Sequence, residues 1–527
     1  MPQFKQALRI LSAPENLPLL KGIKRGIEKE SLRVTPDGRL AETAHPKALG
    51  SPLTHPRITT DFAEALIELI TPPSTDIADT LQTLEDIHRA VYRHLGDELL
   101  WVSSMPCVIG DDDSIPVARY GNANVAKMKE VYRIGLGNRY GRAMQTIAGI
   151  HYNWSAPDEC LSLLQTARGD SSSFKDFKTA AYFGLIRNFR RHTWLLLYLF
   201  GAAPALCHSF VKNREHSLEA FDDSNHTLYK PYATSLRMGD LGYQSSAQES
   251  LYVCYNSLES YTHSLREGLA TPYPAYEQIG VRDDEGNYLQ LNTHLLQIEN
   301  EFYSTMRPKR TTHSGETPLK ALLERGVEYV EVRCLDLNPF LPVGIDQEQA
   351  DFLDVFLFYN LLSQSPDIGQ QEYREALQNQ LATVYEGRHP QLQLQRQGSA
   401  VGLRQWGQEL LASMQPVAAM LDSASDSLRF SQSLATMEER LANSDKTPSA
   451  RIIEELRQQG LSYFHWSLAK SREHKAAILA TPANTELEQA YDEMASTSLR
   501  DQQQIEAADD ISFEQYIANY FAQHQQP

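Results

Sequence analysis

Hydrophobic positions along this chain follow two rhythms. Residues 76–95 place Ile77, Leu81, Leu84, Ile87 and Val91 on one helical face. Comparable spacing predicts helices over 3–12, 174–200, 245–270, 347–363 and 370–385. Other stretches alternate every second residue, the period of a strand. They are GIKRGIEKESLRVTPDGRLAET, read as a hairpin turning at Pro36-Asp37-Gly38, then TIAGIHYNWS at 146–155, YLQLN at 288–292, LLQIENEFY at 295–303 and VEYVEVRCLDL at 327–337. After about residue 345 strand signals almost vanish, and Gln, Glu, Ala, Ser and Leu recur at helical spacing. Strands and helices are mixed and do not alternate regularly, which predicts an α+β fold with a mainly antiparallel sheet. The expected organisation is a core over 1–345 and a mainly helical region over 346–527 packed on it.

The same alternation sorts the polar residues onto faces. On a strand, Glu28 and Glu30 point one way while Ile27 and Lys29 point the other. His151, Asn153 and Ser155 share a face opposite Ile150, Tyr152 and Trp154. Glu331 and Arg333 oppose Val330, Val332 and Cys334. Each pattern alone is ordinary amphipathicity. In TTDFAEALIELITP at 59–72, however, Glu68 lies inside the apolar run Leu66-Ile67-Glu68-Leu69-Ile70. A carboxylate there needs a partner. Asp61 precedes that run, and Glu64 is expected at the surface. Several strands presenting carboxylates, one His and one Arg suit a hard divalent cation, Mg²⁺ or Mn²⁺, beside a phosphate.

Charge and composition narrow the classes. With 49 Lys+Arg against 67 Asp+Glu the formal net charge is −18, which argues against nucleic acid or an anionic membrane as partner. The five cysteines, Cys107, Cys160, Cys207, Cys254 and Cys334, include no C-x-x-C pair and are expected as reduced thiols. The amino terminus lacks the pattern of a signal peptide, and WLLLYLFGAAPALC at 194–207 is too short to span a bilayer. A cytoplasmic location and a monomer are expected. No G-x-x-x-x-G-K-[ST] loop, H-E-x-x-H or G-x-S-x-G occurs, and Gly135-Leu136-Gly137 with Gly141 lacks the context of a dinucleotide fingerprint. Arg133, Arg237 and the run RPKR at 307–310 are candidate grips for carboxylates or phosphates. Residue patterns stop at a metal-dependent, phosphate-handling protein without a P-loop.

The motifs RGIEKESLRV, TTDFAEALIELITP, MQTIAGIHYNWS, YATSLRMGDLGY, QIENEFY with RPKR, and YVEVRCLDLNPF closely resemble, in order, those of bacterial glutamate–cysteine ligase, also called γ-glutamylcysteine synthetase. The resemblance runs from about residue 20 to 345. It implies a glutamine-synthetase-like core whose curved antiparallel sheet forms a funnel. By motif position it also implies metal ligands at Glu28, Glu30, Asp61, Glu68, His151 and Glu331, with Arg333 facing the γ-phosphate of ATP. Arg133 and Arg237 match substrate-binding arginines, and Tyr243 and Tyr303 match aromatic positions near a cysteine pocket. The implied reaction is ATP-dependent joining of the glutamate γ-carboxylate to the cysteine amine through γ-glutamyl phosphate, the first step of glutathione biosynthesis. Feedback by glutathione is a family expectation. The alternatives are a ligase for another amine, a metabolite-binding regulator without turnover, and a metal-dependent phosphohydrolase.

Overall fold

The computed structural model describes residues 2–212, 214–241, 247, 251–482 and 484–525. Five strands arise early: β1 (Lys24–Val34), β2 (Ile58–Thr60), β3 (Leu66–Ile70), β4 (Leu99–Leu100) and β5 (Ile150–Ser155). A small sheet follows, made of β6 (Ala205–Cys207), β7 (Glu219–Ala220) and β8 (Thr227–Tyr229). Then come β9 (Met306–Lys309) and β10 (Tyr329–Leu335). The main sheet runs β2-β3-β1-β5-β10-β9, with β4 paired to the far end of β1. Its pairings are antiparallel, as the mixed sequence pattern predicts. Pro308 fits on β9 because that strand forms an edge, where a missing N–H leaves no ladder bond unmade.

One face of this sheet packs on the helix Gln347–Leu362. Tyr152 and Trp154 of β5 point at it, and Trp154 meets Phe358 edge-on with ring centroids 5.6 Å apart. The apolar helix buries two aspartates, and Asp354 is the one that meets the sheet. It accepts from Trp154 Nε1 at 3.1 Å and Tyr152 Oη at 3.2 Å, and it pairs with Arg25 at 2.5 Å. On the same face of β1, Lys29 Nζ donates to Ser31 Oγ at 2.7 Å and lies 2.9 Å from His88 Nε2. Because His88 Nδ1 faces the Leu84 carbonyl at 2.7 Å, that nitrogen carries the proton and Nε2 accepts from lysine. One hydrophobic cluster joins Ile27, Trp154 and Val332 to Phe356, Met437 and Tyr491, so the helical half shares its core with the sheet.

Several expectations change. Of the helix sought over 245–270, Ala247 is helical, 245, 246 and 248–250 lie outside the described residues, 251–257 are not helical, and a helix starts at Leu258, where Ser257 and Ser260 form a reciprocal cap. Residues 288–292 and 295–303 are not strands. Gln290 spends its side chain on the Tyr276 and Gly280 carbonyls, and Gln297 accepts from Leu291 N. The turn at Pro36-Asp37-Gly38 returns to a single bridge, Val34 to Leu40, and not to a paired strand. Glu64 is buried, accepting from the amides of His45 at 2.8 Å and Arg119 at 2.9 Å. The five thiols are not all free either. Cys107 and Cys207, 100 residues apart, form a disulfide, while Cys160, Cys254 and Cys334 are unpaired.

Candidate active site

Directly opposed residues of antiparallel strands present their side chains on the same face. Across the open face of the sheet, Glu68 of β3 opposes Glu30 of β1, and Glu28 opposes His151 of β5. Asn153 then opposes Glu331 of β10, which opposes Arg307 of β9. A row of ionisable side chains therefore crosses the sheet from β3 to β9. His151 Nδ1 lies 3.2 Å from Glu28 Oε2, and its Nε2 lies 3.6 Å from Glu30 Oε1. Asn153 Nδ2 donates to Glu28 Oε1 at 2.9 Å, and the Gly149 amide donates to Glu30 Oε2 at 2.7 Å. Glu331, only 1 % exposed, is gripped by Lys309 Nζ at 3.2 Å and Arg333 Nη1 at 3.1 Å.

Positive charge is spread unevenly along this row. Burial opposes ionisation of Glu331, yet Lys309, Arg333, His151 and Arg307 hold its pKa well below the usual range. For Glu28 burial is again opposed, here by the hydrogen bond and charge of His151, and the net direction is down. Glu30 goes the other way, raised by burial and by Asp61 against the pull of His151, Arg237 and Arg333. Glu68 is pushed well up by burial, then by the charges of Glu28, Asp61, Glu30 and Glu331. Carboxylates packed this closely at one end of the row are short of counter-charge. Glu28, His151 and Glu331 each offer a ligand atom within 4.8 Å of the others. Oxygen donors with one imidazole fit a hard divalent cation.

Above this face stands a cavity of about 810 Å³ lined by Glu28, Glu30, Asp61, Glu68, His151 and Glu331. Arg333, Arg133 and Tyr303 also line it. Arg133 comes from the helix Asn124–Tyr140. It donates to the Asp61 and Lys129 carbonyls and stacks over the Tyr120 ring, its guanidinium carbon 4.7 Å from the centroid. Arg237 lies one layer deeper, 1 % exposed, with Nη2 donating to the Arg333 carbonyl at 3.0 Å and Nη1 3.7 Å from Asp336. It passes so close to Gly149 that a Cβ there would collide with the guanidinium. Tyr303 donates to Met238 Sδ at 3.2 Å. Tyr243 lies outside the described residues.

The structure selects Arg307 and Lys309 from the RPKR run and adds wall residues that the sequence did not single out. Arg307 and Lys309 share a face of β9, a placement the RPKR run could have given had that segment been read as a strand. Tyr132 and Arg139 reach the cavity from the helix Asn124–Tyr140. Gly135 of that helix serves packing: the Gln297 side chain lies where its Cβ would stand, with Nε2 donating to the Tyr132 carbonyl at 3.2 Å. Tyr516 and Tyr520, near the end of the chain, line the cavity as well.

A family model described as glutamate-cysteine ligase matches residues 8–383. The chain belongs to the glutamate–cysteine ligase family. It is 50% identical over 526 residues to the glutamate–cysteine ligase of Alcanivorax borkumensis, covering 99% of this chain and 100% of that protein. It is 52% identical to that of Saccharophagus degradans, covering 97% and 96%. Among solved structures it resembles the Francisella tularensis glutamate–cysteine ligase in complex with AMP. The TM-score is 0.90 and the identity 36%, over 95% of this chain and 98% of that one. A bifunctional glutathione synthetase from Pasteurella multocida matches with a TM-score of 0.72 and 25% identity, over 94% of this chain and 58% of that one. The ligase family's match passes residue 345 and includes the helix Gln347–Leu362 that backs the sheet.

Proposed function

We propose that this protein joins the γ-carboxylate of L-glutamate to the amino group of L-cysteine at the expense of ATP, forming γ-glutamylcysteine. The observation that carries the reading is Glu331, a buried carboxylate held between Lys309 and Arg333 in the same row as His151 and Glu28. Family membership and the nucleotide in the Francisella complex support glutamate, cysteine and ATP as its substrates. In the first step a γ-carboxylate oxygen attacks the γ-phosphorus of ATP, and ADP leaves. In the second the cysteine amine attacks the acyl carbon, loses a proton, and phosphate departs.

Glu28, Glu30, Asp61, Glu68, His151 and Glu331 are the proposed ligands for divalent cations, Mg²⁺ with Mn²⁺ as substitute. A cation there supplies positive charge where two anions must meet. Arg333, at the cavity wall, is the proposed contact for the transferring phosphoryl group, with Lys309 beside it on the neighbouring strand. Arg133 at the wall and Arg237 behind Gly149 are the proposed grips for the substrates' own carboxylates. Tyr303 borders the space for cysteine, with Tyr243 as its proposed companion. Residues 1–345 carry the chemistry in this reading; 346–527 support it, the helix Gln347–Leu362 from behind the sheet and Tyr516 and Tyr520 from the cavity wall.

A monomer in the cytoplasm is proposed, with glutathione, which carries the same γ-glutamyl group, competing at the cavity. Among the described residues no helix is long and apolar enough to cross a membrane. The deciding experiment measures ADP release with glutamate, Mg²⁺ and ATP while the amine is varied. Cysteine should support release together with γ-glutamylcysteine, and ammonia should not. Release independent of any amine, with no peptide product, points instead to a phosphohydrolase.

A further inference from the structure

The helix Phe513–Ala522 carries Phe513, Tyr516, Ile517, Tyr520 and Phe521 at i, i+3, i+4, i+7 and i+8, one apolar stripe on a short helix. The stripe packs on Met128, Val131, Leu291 and Ile298. Beyond that contact Tyr516 and Tyr520 form part of the catalytic cavity's wall, although about 180 residues separate them from the last strand of the sheet.

Polar contacts pin this segment along its length. Asn124 Nδ2 donates to the Ile511 carbonyl at 2.9 Å and Asp509 Oδ1 at 3.2 Å. Arg282 Nη2 pairs with Glu514 Oε1 at 2.8 Å. Gln523 accepts from the Thr317 amide at 3.2 Å and donates to the Gly315 carbonyl at 2.8 Å. The strap thus ties together the helix Asn124–Tyr140, the loop around Ile298 and the loop around Gly315. All three stretches contribute wall residues.

We propose that the carboxy-terminal helix is a built-in wall of the catalytic cavity whose Tyr516 and Tyr520 exclude water from the acyl phosphate. The inference rests on the ligase reading above. An acyl phosphate exposed to water is lost when a water oxygen bonds to the acyl carbon and the carbon–oxygen bond to phosphate breaks. Glutamate and phosphate result, and the net reaction is hydrolysis of ATP to ADP. An active site that waits for a second substrate must therefore keep water out between its two steps. Aromatic side chains fixed by a docked helix meet that need without consuming the charged groups on the sheet.

The test uses the full-length enzyme and follows ADP and γ-glutamylcysteine together, with and without cysteine. Wild type should release about one ADP per peptide, and its failure to make peptide would count against the ligase reading alone. Tyr516→Ala/Tyr520→Ala should release severalfold more ADP than peptide, and ADP release without cysteine should rise. Tyr516→Phe/Tyr520→Phe should keep the wild-type ratio. Arg282→Ala, which loosens the strap at an exposed ion pair without altering the wall, should raise the ratio to a lesser extent. A wild-type ratio of ADP to peptide in both alanine variants overturns the proposal, as does a parallel loss of both products at constant ratio.

Discussion

Lys309 and Glu331 face each other across the last two strands of the sheet, Nζ to Oε1 3.2 Å apart. The pair is lopsided: the Glu331 side chain is 1% exposed, whereas that of Lys309 is 31% exposed on the cavity side. Lysine can therefore neutralise the carboxylate and still reach a phosphate. Lys309→Met should lower kcat/KM for ATP at least about tenfold, the effect of losing one charge-assisted contact in a sheltered site. Steady-state kinetics with ATP varied would check this, and wild-type values would restrict Lys309 to a structural role.

Glu331→Gln and Arg333→Ala should fold normally and lose turnover by about 10²–10³-fold, the scale of removing one group that stabilises developing charge. Both side chains sit on β10, whose opposite face, Val330, Val332 and Cys334, would be untouched. Circular dichroism together with the rate of γ-glutamylcysteine formation separates folding from chemistry. Near-normal rates in either variant would sink the assigned roles.

Behind the sheet, Asp354→Ala strands Arg25 together with the Trp154 and Tyr152 donors. Breaking a buried pair on one side typically costs about 3–5 kcal/mol. Urea unfolding should show that loss. A midpoint equal to wild type would mean that water replaces the carboxylate.

The docking of the carboxy-terminal helix should depend on pH. His524 Nδ1 lies 3.7 Å from Glu299 Oε1, and Tyr520 interacts with the same carboxylate. Burial pushes the Glu299 carboxyl up from 4.5 to about 7 and the His524 imidazole down from 6.5 to about 4. Glu299 is protonated in folded and unfolded chains alike below 4.5, and its contribution is lost as pH rises towards about 7. The contribution of neutral His524 is present above 6.5 and lost as pH falls towards about 4. Glu299→Gln should therefore gain on wild type between pH 4.5 and about 7, by on the order of 1–3 kcal/mol, and hold that gain above. Thermal melts at several pH values check it, and a pH-independent difference would contradict it.

Thiol titration of the denatured protein under non-reducing conditions should count three of the five cysteines, and all five after reduction. Closing a loop of this length is worth about 5 kcal/mol in the chain-entropy account, so reduction should lower the melting temperature. Five reactive thiols before reduction would remove the crosslink from the description of the native state.

Much of the site was legible because a strand's period is two. Alternation alone placed Glu28 with Glu30, His151 with Asn153, and Glu331 with Arg333, each opposite neighbours that are buried in the fold and, Lys29 excepted, apolar. Alternation failed at 288–303, where buried glutamines take the place of strand partners and bind backbone groups through their side chains. It also ran a helix through residues 251–257, which are not helical, because apolar spacing persists upstream of the Ser257 cap.

The sequence by itself determined local faces and, through six ordered motifs, the family. Only the tertiary structure decided register, and with it that Glu30 meets Glu68 and Glu28 meets His151. It also brought Cys107 to Cys207 and carried Tyr516 and Tyr520 to a cavity formed by strands from the first two-thirds of the chain. The reason is physical. Side-chain direction follows from the backbone period of a few consecutive residues, whereas contacts between distant residues follow from which apolar faces find each other when the whole core closes.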